Sequence, residues 1–193
     1  LQTKMGIDSL LAGIIVNTGL YSINMAVMGN SSLVNMNTTE TIYTVVKNAL
    51  KGTPLASYYK LIVIGAAVLL VIVFLSLFLR TRLGLAIRAT GNNPDMVRSS
   101  SINPVFTTIV GLCVANAFTA LSGCLMTQSQ KSVSIDVGSG MVTVALASLL
   151  IGRAFFGRGK IPLRAVGVVV GSVVFLVVYR IALRFNIPAY MLK

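Results

Sequence analysis

The chain has 193 residues, of which 55% are hydrophobic and 10% charged, with a net charge of +12 and a mean hydropathy of +0.88. An ordinary soluble domain carries about 25% charged residues, so a water-soluble fold is excluded and an integral membrane protein is expected. In such a protein an excess of 16 Lys and Arg over 4 Asp and Glu marks cytoplasmic loops, and a nucleic-acid partner is not expected.

Helices are the expected spanning form, because a backbone in lipid must satisfy its own polar groups and no strict alternation of a barrel is present. Five spans follow in chain order: residues 9–28, the uncharged run 61–79, residues 105–126, a shorter stretch 141–152, and residues 165–183. The fold class is therefore an all-α polytopic helical bundle, read as one transmembrane domain over 1–193. The chain opens at Leu1 without a cleavable signal pattern and is read as a piece truncated at both ends.

The first span sets Gly13, Asn17, Tyr21 and Asn24 at helical spacing along one face. This face either glues helices together or walls a solute path, since buried Asn serves both ends. The third span repeats the pattern with Asn116, Ala120, Gly123 and Thr127. Two facing polar stripes would suit translocation. Residues 29–57 form a polar loop in which Ile42, Val45, Val46 and Ala49 share a helical face, so a short interfacial helix is expected there.

Between the second and third spans stand Arg80, Arg82, Arg88 and Arg98 against Asp95 alone. Arg153, Arg158, Lys160 and Arg164 follow the fourth span without an acid. Both loops are therefore expected in the cytoplasm, which puts 29–60 and 127–140 outside. Arg180, Arg184 and Lys193 run mildly against this assignment. Within residues 81–103, Gly91 and Asn92 interrupt a helical register, Asn93 can cap, and Pro94 fits a first helical position. Asp95 and Arg98 then suit the two ends of a short helix.

Residues 127–140, rich in Ser, Gly and Gln, join a full span to a short one. Either a re-entrant half-helix or a plain external loop before a longer span would account for this. Asp136 is a weak site candidate there. Gly167 and Gly171 form a GxxxG, for which helix packing is the default. With no His, and with Cys113 and Cys124 inside one apolar segment, a metal centre cannot be assembled. The stretch Gly157-Arg158-Gly159-Lys160 lacks the spacing of a phosphate loop. No catalytic residue, cofactor site or metal site is expected in this chain.

The segment Gly84-Leu85-Ala86-Ile87-Arg88-Ala89-Thr90-Gly91-Asn92-Asn93-Pro94-Asp95-Met96 resembles the cytoplasmic loop of the membrane subunits of bacterial ABC importers of the ribose and branched-chain amino acid type. Leu11-Ala12-Gly13-Ile14, Thr18 to Asn24 and Ile187-Pro188-Ala189-Tyr190 are similar to a subgroup linked to tryptophan and tyrosine import. The resemblance implies that 80–104 is a coupling loop whose helix, residues 93–101, docks in a groove of an ATPase. Arg88, Asn92, Asn93, Asp95, Met96, Arg98 and Ser99 would form the docking surface. It further implies a second permease chain, two ABC ATPase subunits holding ATP and Mg, and an external substrate-binding lipoprotein. Relatives usually have a glycine where Ser101 stands, a small residue at Val97, and an acid at Arg153. Function is read as import of a small polar solute, an amino acid by resemblance, through the bacterial plasma membrane. The alternative is a secondary transporter or channel, which usually carries ionisable residues inside its spans; all four acids here fall outside the span cores.

Overall fold

The apolar runs become helices, the form in which a backbone away from water can bond to itself. The computed structural model describes residues 5–51, 57–138, 141–157 and 160–185, apart from the side chains of Asp136, Val137 and Leu183. Arg158, Ile187-Pro188-Ala189-Tyr190 and Lys193, named above, lie outside the described residues, as does the side chain of Asp136. The described helices are α1 (Ser9–Val27), α2 (Ile42–Ala49), α3 (Tyr59–Phe78), α4 (Arg82–Asn92), α5 (Pro94–Ser99), α6 (Pro104–Gln130), α7 (Met141–Phe156) and α8 (Ile161–Arg184). Two three-residue strands, β1 (Leu33–Asn35) and β2 (Ser132–Ser134), and a 3-10 turn Ile135–Gly138 accompany them. The architecture is the expected all-α one.

Four helices, α1, α3, α6 and the stretch Ile161–Ala182 of α8, are long and apolar enough to cross a membrane. They correspond to four of the five spans read from sequence. The fourth in that reading, α7, is longer than expected, yet its 16 residues extend only about 24 Å against a hydrocarbon core of about 30 Å. By contrast α6 runs on to Gln130, 27 residues in all.

The chain divides into two compact units, residues 1–71 with 77–135 and residues 72–76 with 136–193. In the first, α4 and α5 pack on α6, and β1 pairs with β2. The register is antiparallel, with Leu33 opposite Ser134, Val34 opposite Val133 and Asn35 opposite Ser132. Two further bonds extend the ribbon, from the Met36 N–H to the Lys131 carbonyl (2.9 Å) and from the Ile135 N–H to the Ser32 carbonyl (3.2 Å). Of the two alternatives for residues 127–140, the loop before a longer helix is the nearer, since α7 extends to Phe156, but the loop carries a paired strand. Thr127 to Gln130 belong to α6, Lys131 turns the chain at φ +55°, and β2 follows at once, with no half-helix among the described residues of the segment. The pairing with residues a hundred positions earlier left no local trace in the sequence.

Helix α2 opens with a reciprocal cap in which the Thr41 N–H donates to Thr44 Oγ1 at 2.7 Å and the Thr44 N–H donates to Thr41 Oγ1 at 3.3 Å. The Ile42 N–H donates across to Gln128 Oε1 near the end of α6, at 3.1 Å. The apolar face foreseen for this helix is split. Thr41 and Tyr43 are buried and Val46 is half-buried, while Ile42, Val45 and Ala49 are exposed. Burial pushes the Tyr43 phenol above its ordinary value.

In the second unit α7 and α8 form a close pair, and the cause is the absence of side chains at three positions. A Cβ added at Gly171 would meet the Ser148 carbonyl oxygen and lie 2.7 Å from the Gly152 nitrogen. One added at Gly152 would meet the Gly167 carbonyl oxygen, and one at Gly167 would lie 2.9 Å from Phe156 Cβ. The GxxxG is therefore a packing surface, and its counterpart is a second small-xxx-small pair, Ser148 and Gly152. Ser148 is buried, and its hydroxyl donates back to the Val144 carbonyl at 2.7 Å. Close backbone approach of this kind drives helix association where lipid removes any hydrophobic advantage. Gly171→Val should therefore destabilise the purified protein by about 1 to 3 kcal/mol, the usual range for overpacking, read as a lower thermal midpoint in detergent. Gly65→Ala, where an added Cβ meets nothing within 4 Å, is the control and should leave the midpoint in place.

Candidate functional site

The basic loop between α3 and α6 is built from three successive caps. Thr81 starts α4, its Oγ1 accepting from the Gly84 N–H at 3.2 Å, and Gly84 is buried against the turn, where an added Cβ would meet the Phe78 carbonyl oxygen. The expected interruption at Gly91 and Asn92 does not occur, because α4 runs through both. The break falls at Asn93, whose backbone is extended at φ −155°, ψ 103°, since the ring of a following proline disfavours helical geometry in the residue before it. A glycine within a helix costs only about 1 kcal/mol, which packing against α6 can offset.

Asn93 closes one helix and opens the next. Its N–H donates to the Ala89 carbonyl at 3.0 Å, while its Oδ1 accepts from the N–H groups of Asp95 (3.0 Å) and Met96 (3.1 Å). Pro94 takes the first helical position, as expected. The helix is shorter than residues 93–101. It stops at Ser99, with the Ser99 and Ser100 hydroxyls donating to the Met96 carbonyl at 2.7 and 3.1 Å. Ser101 then adopts φ +60° and the Ile102 N–H returns to the Val97 carbonyl at 3.2 Å, which is the ending a glycine would take without steric penalty. Asn103 and Pro104 repeat the Asn-Pro device at the start of α6, with Asn103 Oδ1 accepting from Val105 at 3.0 Å. That second pair, which the sequence reading passed over, marks the start of α6.

All seven residues assigned to docking, Arg88, Asn92, Asn93, Asp95, Met96, Arg98 and Ser99, are exposed, Met96 at 68%. Asp95 and Arg98 form an ion pair at 3.7 Å with side chains 87% and 67% exposed. Such a pair adds about 0 to 1 kcal/mol, so both charges are available to another surface. Beneath them Val97 is only 3% exposed and Thr107 on α6 only 1%. The Thr107 and Thr90 hydroxyls lie 2.8 Å apart, and Thr90 Oγ1 also donates to the Ala86 carbonyl at 2.8 Å. Sequence reasoning missed Thr90 and Thr107, because a threonine inside a helix carries no distinctive spacing.

The polar stripes lie on α1 and α6. Asn17, Tyr21 and Asn24 are exposed on α1; on α6 Asn116 is exposed and Thr127 half-buried. Among the described residues no extensive packing of these two helices on one another is seen, so the structure gives no direct pairing of the stripes. Asn116 Nδ2 donates to the Leu112 carbonyl and Thr127 Oγ1 to the Cys124 carbonyl, each at 3.0 Å. Among the described residues no group of three His, Cys, Asp or Glu is placed to hold a metal.

A family model described as the permease component of branched-chain amino acid transport systems matches residues 1–191. The chain is 31% identical over 183 residues to the tyrosine transport system permease protein of Clostridioides difficile (strain R20291), a match covering 91% of this chain and 55% of that protein. It is 30% identical over 158 residues to the uncharacterized protein RP368 of Rickettsia prowazekii (strain Madrid E), covering 81% of this chain and 52% of that protein. The chain thus spans about half the length of these relatives. No solved structure matches.

The cap and the ending of α5 can be separated experimentally. Asn93→Ala should destabilise the helix by about 1 kcal/mol and speed amide exchange at Met96. Ser101→Gly should relieve roughly 1 kcal/mol of left-handed strain and slow exchange at the same amide.

Proposed function

The chain belongs to the family of permease components of branched-chain amino acid transport systems and is a multi-pass protein of the bacterial plasma membrane, and we propose that it forms the solute path of an ABC importer. The observation that carries this is the capped, exposed α5 held against α6 through its buried Val97. In this proposal loop 80–104 is cytoplasmic and its exposed Asp95, Met96 and Arg98 meet an ABC ATPase subunit. ATP and Mg reside in that partner, and this chain holds no cofactor. Nucleotide-dependent closure of two ATPases supplies the differential binding that shifts the permease between inward and outward access.

A second copy of the chain faces the first across the path, and an external lipoprotein delivers the solute. An amino acid is the proposed solute class, supported by the family description and by the name of the tyrosine permease relative. The polar stripe of Asn17, Tyr21 and Asn24, with Asn116 and Thr127 on α6, is proposed to line the path. Its support is chemical. Among the described residues the Asn17 and Asn24 side chains have no partner, and an amide turned to hydrocarbon without one is strongly disfavoured.

Two experiments test this reading. Charge reversal at Asp95 or Arg98 should lower co-purification of the ATPase or uncouple hydrolysis from uptake, while membrane insertion is retained; normal assembly and solute-stimulated hydrolysis in both variants would refute the docking role. For the path, Asn17→Leu and Asn116→Leu should abolish amino acid uptake per assembled complex. If uptake per complex is unchanged, these residues do not line it.

A further inference from the structure

From the bonds at its two ends, we infer that α6 is a connecting rod that carries displacement of α5 to the β1–β2 ribbon, with Thr90 and Thr107 as the positioning residues that lock the coupling helices to it. The inference rests on the coupling role proposed for α5. Helix α6 is unbroken for 27 residues, about 40 Å at 1.5 Å per residue, which exceeds a hydrocarbon core of about 30 Å. Both of its ends therefore reach the membrane surfaces or beyond.

At its first end the attachment is polar and buried. Thr107, 1% exposed, has its hydroxyl 2.8 Å from that of Thr90 and, with the Thr90 proton given to the Ala86 carbonyl, donates its own proton to Thr90 Oγ1. Ile87 Cγ2 lies where it would touch a Cβ at Gly111, at 3.4 Å, so α4 lies close against the same stretch of α6. Val97 is buried on α5 and the Asn103 cap leaves only residues 100–103 between the two helices. A load on α5 thus has a short, bonded route into α6.

At the other end α6 passes through Lys131 directly into β2, which holds β1, and Gln128 Oε1 holds the first N–H of α2. Two separate segments from the 29–57 loop are thereby fixed to the far end of one helix. By this geometry the ribbon and the start of α2 follow α6, and α6 follows the coupling loop. Asn116 and Thr127 ride on the same helix, so one movement would change both the path and its outer closure.

The test uses the full permease with its ATPase and lipoprotein, in a background with Cys113 and Cys124 replaced and Ser132→Cys added on β2. The rate of modification from outside by a membrane-impermeant maleimide is compared with and without ATP plus vanadate. The parent should change its rate on trapping, and the double variant Thr90→Val with Thr107→Val should reduce that change by about threefold or more, the scale of one lost neutral hydrogen bond. Thr107→Ser, which keeps the hydroxyl, should restore it. Equal nucleotide dependence in parent and double variant, with the ATPase bound to both, would overturn the positioning role. A parent rate that ignores nucleotide while the ATPase remains bound would overturn the rod itself. Absence of any ATPase from the parent complex would instead remove the coupling reading, and the rod with it.

Discussion

A peptide group in hydrocarbon has no water to bond, and that constraint governs this chain more than any single contact does. It forces the apolar stretches into continuous i to i−4 ladders and confines extended and left-handed backbone to the segments between helices. Several hydroxyls inside the spans obey the same rule, although the Ser76 hydroxyl on α3 is buried without a partner among the described residues. Thr18 donates to the Ile14 carbonyl at 2.9 Å, Thr119 to Ala115 at 3.0 Å, and Ser172 to Val169 at 2.7 Å. Each of these hydroxyls is satisfied by its own helix. What distinguishes one span from another is then left to the ends of the helices and to the few places where backbones touch.

The parts legible in the sequence are those whose cause is local. Apolar length gave α1, α3, α6 and α8 to within a few residues, because a span needs nothing beyond its own composition. Asn93, Pro94, Asp95 and Arg98 were readable as a capped helix because capping uses atoms within three positions. Gly91 and Asn92 misled for the same reason in reverse, since low helix propensity is a weak force beside packing on α6. The β1–β2 ribbon was invisible, since three-residue strands have no period and their pairing is decided by where α6 ends. The α7–α8 seam was half legible. Gly167 and Gly171 announce themselves, whereas Ser148 and Gly152 look ordinary until the partner helix is known.

The six-residue α5 is too short to persist in isolation, where a helix needs about 12 to 15 residues. It is held from outside its own sequence by the Asn93 amide, by the serine hydroxyls at its end and by Val97 beneath it. An element so held keeps its backbone in place beneath the exposed Met96, Asp95 and Arg98, which would favour the docking proposed above. Preorganisation of this kind removes much of the ordering cost of association.

The unequal lengths of α6 and α7 have a consequence for the lipid around them. A helix longer than the hydrocarbon layer relieves its mismatch by tilting or by emerging from it. A helix shorter than the layer, as α7 is, needs a thinned bilayer or neighbouring protein at its ends. Membranes of increasing thickness would therefore relieve one helix and strain the other. Where the layer is thick, α7 would need protein rather than lipid at its ends, while α6 would stand closer to the membrane normal.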